Sequence, residues 1–307
     1  MPAGTRTTTR GNRLSFNDNT GCTTVPKPAQ VANTRHFAQT VTVYAVMIPR
    51  INVYALPNLV EPDELASGTV VVIDILRATT TIVHAIAAGA TAVVPCGTVE
   101  EAERLAELLR QTDPDAQVLL AGERECLPIP GFDLGNSPTE FQPERVFRSV
   151  IIMTTTNGTQ AFRRCRKASK VIAGAFVNAS RVLQELFEET SAIHLLCAGA
   201  DGEVTRDDVL FAGYLVDRLE RRSGLRYEMN AQALTARENW QASFVEPYVS
   251  GAEPVPPELL ANQLRRSRAG EKLVAAGMEN DILEAARVDR FSCLPVFDPA
   301  SGIIVGH

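Results

Sequence analysis

Histidine is scarce in this chain. Of four in 307 residues, His36 lies in a polar N-terminal tail, His307 ends the chain, and His84 and His194 sit inside apolar runs that suit core positions. A Ser-His-Asp triad or histidine-based phosphoryl transfer therefore lacks its parts. The six cysteines, Cys22, Cys96, Cys126, Cys165, Cys197 and Cys293, are scattered without a C-x-x-C. This argues against a zinc cage or a disulfide framework and fits reduced thiols in the cytoplasm. Neither G-x-x-x-x-G-K-[ST] nor a strand followed by G-x-G-x-x-G is present, so nucleotide and dinucleotide fingerprints are missing. Excess basic charge is missing too: the formal charge is −6 and the pI near 5.4, which speaks against a nucleic-acid partner. No apolar run approaches the roughly 20 residues of a membrane span, and the N-terminus has no signal-peptide core. A cytoplasmic enzyme or binding protein with no membrane partner is expected.

What is present is an ordinary globular composition, 45% hydrophobic and 21% charged, enough for one large body or two intimate ones. Residues 1–46 are rich in Thr, Asn, Pro and Arg and read as a flexible tail, apart from a β-like patch from Val41 to Val46. Globular character begins at Met47, which is a plausible translation start. From there to residue 307 a single body is expected. The chain then alternates strand and helix, with strands at Val70–Ile73, Ala92–Pro95 and Gln117–Leu120 around helices at Thr79–Ala88 and Glu100–Arg110. Thr98 with Glu101 has capping-box spacing, as has Thr205 with Asp208. After a Gly/Pro-rich loop from Glu125 to Pro138 the order repeats: Val150–Met153, Thr159–Cys165, Val171–Ala173, Ala179–Glu188 and Ile193–Cys197. A long helix over Arg206–Arg222, a Pro-rich linker, one helix over roughly Glu258–Ala276 and short elements near Ile282 and Pro295–Phe297 complete the body.

The fold class expected is a layered α/β/α body with a mainly parallel or mixed sheet. The two βαβαβ series, 70–124 and 150–203, superpose at an offset of about 78 residues and suggest two intertwined similar halves. In open sheets of this kind ligands bind beyond the carboxyl ends of strands. Equivalence of the series would bring four polar turns to one cleft: Asp74–Thr81, Gly122–Arg124, Thr154–Thr159 and Gly199–Glu203.

Each turn carries candidate chemistry. Asp74 with Arg77 pairs an acceptor for a metal, or a nucleophile, with a fork that suits phosphate, carboxylate or sulfonate. Asp74 capping the helix or pairing with Arg77 is the plainer alternative. Gly122-Glu123-Arg124 is a second acid and base. In Gly131-Phe132-Asp133-Leu134-Gly135-Asn136-Ser137-Pro138, Asp133, Asn136 and Ser137 offer oxygens and donors, and an Asx-type turn explains Asp133 equally well. The threonine-rich openings of two helices, with Thr79 and Thr80 in one and Thr155, Thr156, Asn157 and Gly158 in the other, resemble anion cradles. Asp201 and Glu203 lie beside glycines. An oxygen-only set of Asp74, Glu123, Asp133, Asp201 and Glu203 favours Mg²⁺ over zinc. The basic segment Arg265-Arg266-Ser267-Arg268 is either a solvated face or part of an anion funnel.

Taken together, Val72-Ile73-Asp74-Ile75-Leu76-Arg77-Ala78-Thr79-Thr80-Thr81, Gly122-Glu123-Arg124, the 131–138 loop, Thr154-Thr155-Thr156-Asn157-Gly158-Thr159 and Cys197-Ala198-Gly199-Ala200-Asp201-Gly202 resemble the 2-phosphosulfolactate phosphatase family. The resemblance runs from about Ile51 to Val296. It implies a Mg²⁺-dependent phosphoric monoester hydrolase that converts 2-phospho-3-sulfolactate to 3-sulfolactate, a step associated with coenzyme M synthesis. It further implies catalytic roles among Asp74, Arg77, Glu123, Asp133 and Asp201, and metal ligands among Asp74, Glu123, Asp201 and Glu203. Anion contacts are expected from Thr79, Thr80, Arg124, Asn136 and Thr155–Gly158. Aspartate-nucleophile phosphatases carry a general acid two residues after the nucleophile, where this chain has Leu76. A phosphatase of another small phospho-acid and a non-catalytic binding protein for anionic metabolites are the alternatives, and a homo-oligomer is compatible with each.

Overall fold

Short β-branched runs become buried strands in the computed structural model, which describes residues 49–224, 226–244 and 255–307. The tail to residue 46, its β-like patch and the start at Met47 lie outside the described residues. The first elements are β1 (Arg50–Tyr54), β2 (Thr69–Ile73), α1 (Ala78–Ala87), β3 (Ala92–Cys96), α2 (Val99–Thr112) and β4 (Val118–Arg124). Strand β5 (Leu127–Pro128) lies within the Gly/Pro loop and the one-turn helix α3 (Pro143–Val146) follows it. The second series is β6 (Val150–Thr154), α4 (Gly158–Arg164), β7 (Lys170–Gly174), α5 (Ala179–Phe187) and β8 (Ile193–Cys197). Then come α6 (Arg206–Ser223), β9 (Glu228–Met229), α7 (Ala231–Ser243), α8 (Pro257–Arg265), α9 (Arg268–Ala275), α10 (Glu279–Ala285) and the hairpin β10 (Pro295–Asp298) and β11 (Ile303–Gly306).

All five residues of β2 are buried, as a strand covered on both faces must be. Its pleat sends Val71 and Ile73 into a core with Phe176, Phe211 and Trp240. Val70 and Val72 enter a second core, with Ile82, Phe162 and Phe297. Helices thus cover both faces, and the α/β/α layering follows from the alternation.

The eleven described strands form one sheet in the order β5-β4-β6-β3-β11-β10-β7-β2-β8-β1-β9. The two series exchange their first strands. β6 lies between β3 and β4, parallel to both, while β2 lies between β7 and β8, parallel to both. Register makes Ile73 and Thr154 equivalent: Ile73 pairs with Gly174 and Cys197, Thr154 with Cys96 and Gly122. The β10–β11 hairpin joins the blocks through antiparallel pairings on each side, so the blocks run in opposite senses. In a flat sheet their carboxyl ends would point apart. Here the ideal Cβ position at Gly158, just after β6, falls 2.7 Å from Asp74 Oδ2, just after β2. The turns after β2 and β6 therefore meet although their strands run in opposite senses.

Two local expectations change and one holds. The single helix over 258–276 is two, α8 and α9, because Ser267 Oγ accepts from Gly270 N–H at 2.9 Å and starts a new helix. Thr98 caps α2 as its spacing predicts, accepting from Glu101 N–H at 3.1 Å. Thr205 does not cap α6: its hydroxyl donates to Asp207, and Asp208 is used elsewhere. Both inner histidines are buried, His84 edge-on to Phe291 at 4.8 Å and His194 stacked on Tyr54 at 5.9 Å. Burial, with Arg290 and Arg287 nearby, lowers the pKa of His84 to about 4.

Candidate active site

The turn after β2 is built from its own side chains. Asp74 Oδ1 accepts from Ala78 N–H at 3.0 Å, at the start of α1. Thr79 and Thr80 donate their hydroxyls back to the carbonyls of Asp74 and Ile75 at 2.9 and 2.8 Å. Thr79 Oγ1 also accepts from Asp74 N–H at 3.0 Å. These threonines are fully buried and do not line the cavity described below. They hold the turn, because a hydroxyl just after a strand end finds the unpaired backbone of that turn before it finds solvent. Arg77 turns away from Asp74 to Asp281 of α10, with Nη1 at 2.7 Å from Oδ2 and both side chains 3% exposed. Its Nη2 donates to the Cys126 carbonyl at 3.0 Å. The other Asp281 oxygen accepts from Ser137 Oγ at 2.5 Å, so the 131–138 loop and α10 together fix the guanidinium.

The turns after β4 and β6 clasp each other. Glu123 Oε1 accepts from the N–H and hydroxyl of Thr156, each at 3.1 Å, and Oε2 accepts from Cys126 N–H at 3.0 Å. Arg124 Nη2 donates to Thr154 Oγ1 at 3.1 Å and Nη1 to the Glu123 carbonyl at 2.7 Å. Asn157 Oδ1 accepts from Asp201 N–H at 3.1 Å, which joins the β6 turn to the β8 turn. The β2 and β8 turns are joined by Asp208 at the start of α6, which accepts from Ile75 N–H and Gly199 N–H, both at 2.9 Å. The four turns thus form one hydrogen-bonded set around a cavity of about 970 Å³.

Its electrostatics are set by burial. Asp74 is 7% exposed, and desolvation raises its pKa to about 7, with the charges of Asp207 and Glu123 adding to the shift and Ala78 N–H and Arg77 opposing it. Asp207 and Asp208 are also buried, and desolvation pushes both carboxyls up. A carboxyl near neutrality at a cavity wall is suited to accept and return a proton.

Asp74, Arg77, Glu123, Arg124, Asn136, Thr155, Thr156, Asn157 and Asp201 all line the cavity. Asn136 Oδ1 is buried without a hydrogen-bond partner among the described residues, leaving an acceptor for a ligand donor or water. Five other expected residues do not line it, among them Gly158, which packs against Asp74 and Ala78 instead. Asp133 is half-exposed, accepts from Leu120 N–H at 2.8 Å, lies 3.7 Å from Arg110, and so pins its loop to β4. Glu203 is exposed and paired with Arg268. Thr79 and Thr80 are the other two. Arg265 pairs with Glu279 at 2.6 Å, so the charges of the basic segment at 265 and 268 are balanced by acids. Asp281 and Lys272 escaped the reading because each comes from an element far from the four turns in the chain, and Asp207 because its burial is decided by packing around the start of α6. For Asp208 the capping-box spacing was a signal, but for a different role.

Gly158 acts by close approach. A Cβ there would stand 2.7 Å from Asp74 Oδ2 and 2.5 Å from Ala78 Cβ, closer than side-chain atoms pack. Gly158→Ala is therefore expected to displace the Asp74 carboxylate and to cost about 1–3 kcal/mol of stability, as overpacking does. Urea melts and a turnover assay check this; unchanged stability and rate would refute the crowding.

The 2-phosphosulpholactate phosphatase family model matches residues 54–299. A curated relative from Symbiobacterium thermophilum, named probable 2-phosphosulfolactate phosphatase, is 36% identical over 81% of this chain and 99% of its own length. Relatives of the same name from Deinococcus radiodurans and Thermotoga petrophila are 37% and 36% identical, over 84% and 74% of this chain and 97% and 88% of theirs. With a match that spans every turn of the cavity, the chain belongs to the 2-phosphosulfolactate phosphatase family.

Proposed function

We propose that this protein hydrolyses the phosphate monoester of 2-phospho-3-sulfolactate to 3-sulfolactate and phosphate in the cytoplasm, with Mg²⁺, a step of the coenzyme M synthesis type. The observation that carries the reading is the convergence of four strand-end turns on one cavity, where a buried carboxyl with pKa about 7 shares the wall with Arg77, Arg124 and Lys272. A substrate with phosphate, carboxylate and sulfonate needs that cationic wall. Family membership supports the same chemistry. Among the described residues no helix is long and apolar enough to cross a membrane, and five cysteines are free thiols.

Mg²⁺ takes one or two carboxylates and completes its shell with water and phosphate oxygens. Glu123 fits that demand as a ligand, while Asp74 would attract the ion by its charge and keep its free oxygen for the proton. Asp201 and Glu203 fit less well, since α9 cations already hold them, and no group of three or more acid, His or Cys side chains suited to a metal occurs among the described residues. When bound, the ion supplies charge neutralisation at phosphoryl oxygens.

The chain's own residues do the remainder. Arg77, Arg124, Thr155 and Asn157 orient the anion. Asp74 takes a proton from the attacking water as the new O–P bond forms and the bond from phosphorus to the ester oxygen breaks; the departing alkoxide, on the far side of phosphorus, takes its proton from solvent, and Asp74 afterwards releases its own. With Leu76 in place of a second acid, no aspartyl-phosphate step is invoked. A stoichiometric acid-labile phosphoprotein in a single turnover would overturn that choice. The reaction itself is tested by phosphate release from 2-phospho-3-sulfolactate with Mg²⁺ or EDTA, beside phospholactate and phosphoglycerate. Release that needs Mg²⁺ and prefers the sulfonated ester is expected; release from none of them would favour an anion-binding protein.

A further inference from the structure

Among the described residues three cationic side chains line the cavity, and they are held in different ways. Arg77 is fixed by Asp281, Met278 and the Cys126 carbonyl. Arg124 is fixed by the Glu123 carbonyl and by Thr154. Both belong to the turns that carry Asp74 and Glu123. Lys272 comes instead from α9, whose Ala269, Leu273 and Ala275, with the cap residue Ala276, make an apolar stretch of the wall. Its partner is Asp201, in an ion pair whose side chains are 44% and 41% exposed.

An ion pair so exposed holds its members weakly, and a lysine on its four-carbon stem readily exchanges one anion for another. The exchange leaves no orphan. Arg268, one turn earlier on α9, already lies 3.8 Å from the same Asp201 oxygen, so Asp201 keeps a cation when Lys272 departs. Arg77 and Arg124 stand with Asp74 and Glu123, where the phosphoryl group reacts, so Lys272, on a different element of the wall, is left for the end of the substrate that does not react; its ammonium offers three rotatable donors to an anionic head there. Resting on the proposed reaction, we infer that Lys272 determines specificity by binding the sulfonate of the substrate, with Asp201 as the counter-ion it leaves.

The test compares wild type, Lys272→Met and Lys272→Arg on 2-phospho-3-sulfolactate and on phospholactate, which lacks the sulfonate. Binding of 3-sulfolactate and of lactate is measured in parallel by calorimetry. In Lys272→Met the ratio of kcat/KM between the two esters should fall by about tenfold or more, the scale of one charge-assisted contact, and mainly through KM. Lys272→Arg should restore a good part of it. An unchanged ratio would overturn the inference, since Lys272 would then serve a part common to both esters. If wild type releases phosphate from neither ester, the proposed reaction falls and calorimetry alone decides on Lys272. In that case 3-sulfolactate binding that weakens about tenfold in Lys272→Met upholds the inference, while equal or absent binding ends it.

Discussion

Asp74→Asn should lower phosphate release by about 10²–10⁴, the usual contribution of a positioned acid or base, and should also make the metal-free protein more stable at pH 8. Asparagine keeps the volume and the acceptor that Ala78 N–H uses at 3.0 Å. It removes the charge that burial penalises. The folded pKa of about 7 lies above the ordinary 3.8, so between those values the folded protein holds a proton that the unfolded chain has released. Wild-type stability therefore falls as pH rises from about 4 to about 7, and the penalty is complete above that. Relief of the penalty should be on the order of 1–3 kcal/mol, less than the full shift because neighbouring buried carboxylates share the titration. Melting curves in EDTA at pH 8 and pH 4 measure it: the variant should lead at pH 8 and lose that lead at pH 4. Added Mg²⁺ should raise the midpoint of wild type more than that of the variant. A variant that keeps its turnover, or is no more stable at pH 8, contradicts this account of Asp74.

Asp281→Ala is expected to cost about 3–5 kcal/mol, because it leaves the Arg77 guanidinium buried without its counter-ion. The pair is 2.7 Å apart with both side chains 3% exposed, so water offers little compensation. Ser137 Oγ loses its acceptor in the same change. Turnover should fall as well, through loss of the orientation of Arg77 rather than through any contact of Asp281 with substrate. The double variant Arg77→Met with Asp281→Leu separates the two effects. Replacing both members of a buried pair by apolar groups restores much of the lost stability, yet the cavity still lacks Arg77 and should stay inactive. Urea titration of the single and double variants reads the first effect, and phosphate release the second. Equal destabilisation of single and double variants would mean that the pair is not the source of the cost.

Much of the fold was legible locally. The runs at 70–73, 150–153 and 193–197 lie within one or two residues of the observed strands, because a β-branched segment with no polar face has few places to go except a covered sheet. Helix α7 and strand β11 were not anticipated. Helix α7 carries polar residues on much of its surface and is held by packing on α6, and β11 is a four-residue hairpin arm placed by its partner strands. At the site, adjacency was the visible signal. Asp74, Glu123, Arg124 and Thr155–Asn157 follow strand ends and do meet at the cavity. The same logic over-reached with Thr79 and Thr80, whose hydroxyls were nearer to their own backbone than to any ligand space. It over-reached with Asp133 too, whose carboxylate neither lines the cavity nor closes an Asx-type turn but accepts from Leu120 N–H, thirteen residues earlier on β4.

The sequence by itself determined the class of the fold, the alternation of the two series and the turns that carry the chemistry, since these rest on periodicity and on residues adjacent in the chain. Tertiary structure alone decided that β2 and β6 change places between the series, that Gly158 meets Asp74, and that Arg77 is balanced by Asp281, 204 residues away. It also decided which acids stay beside cations at the surface and which are buried with raised pKa. The physical reason is that desolvation and ion pairing depend on distances in space, which a local pattern of residues does not encode.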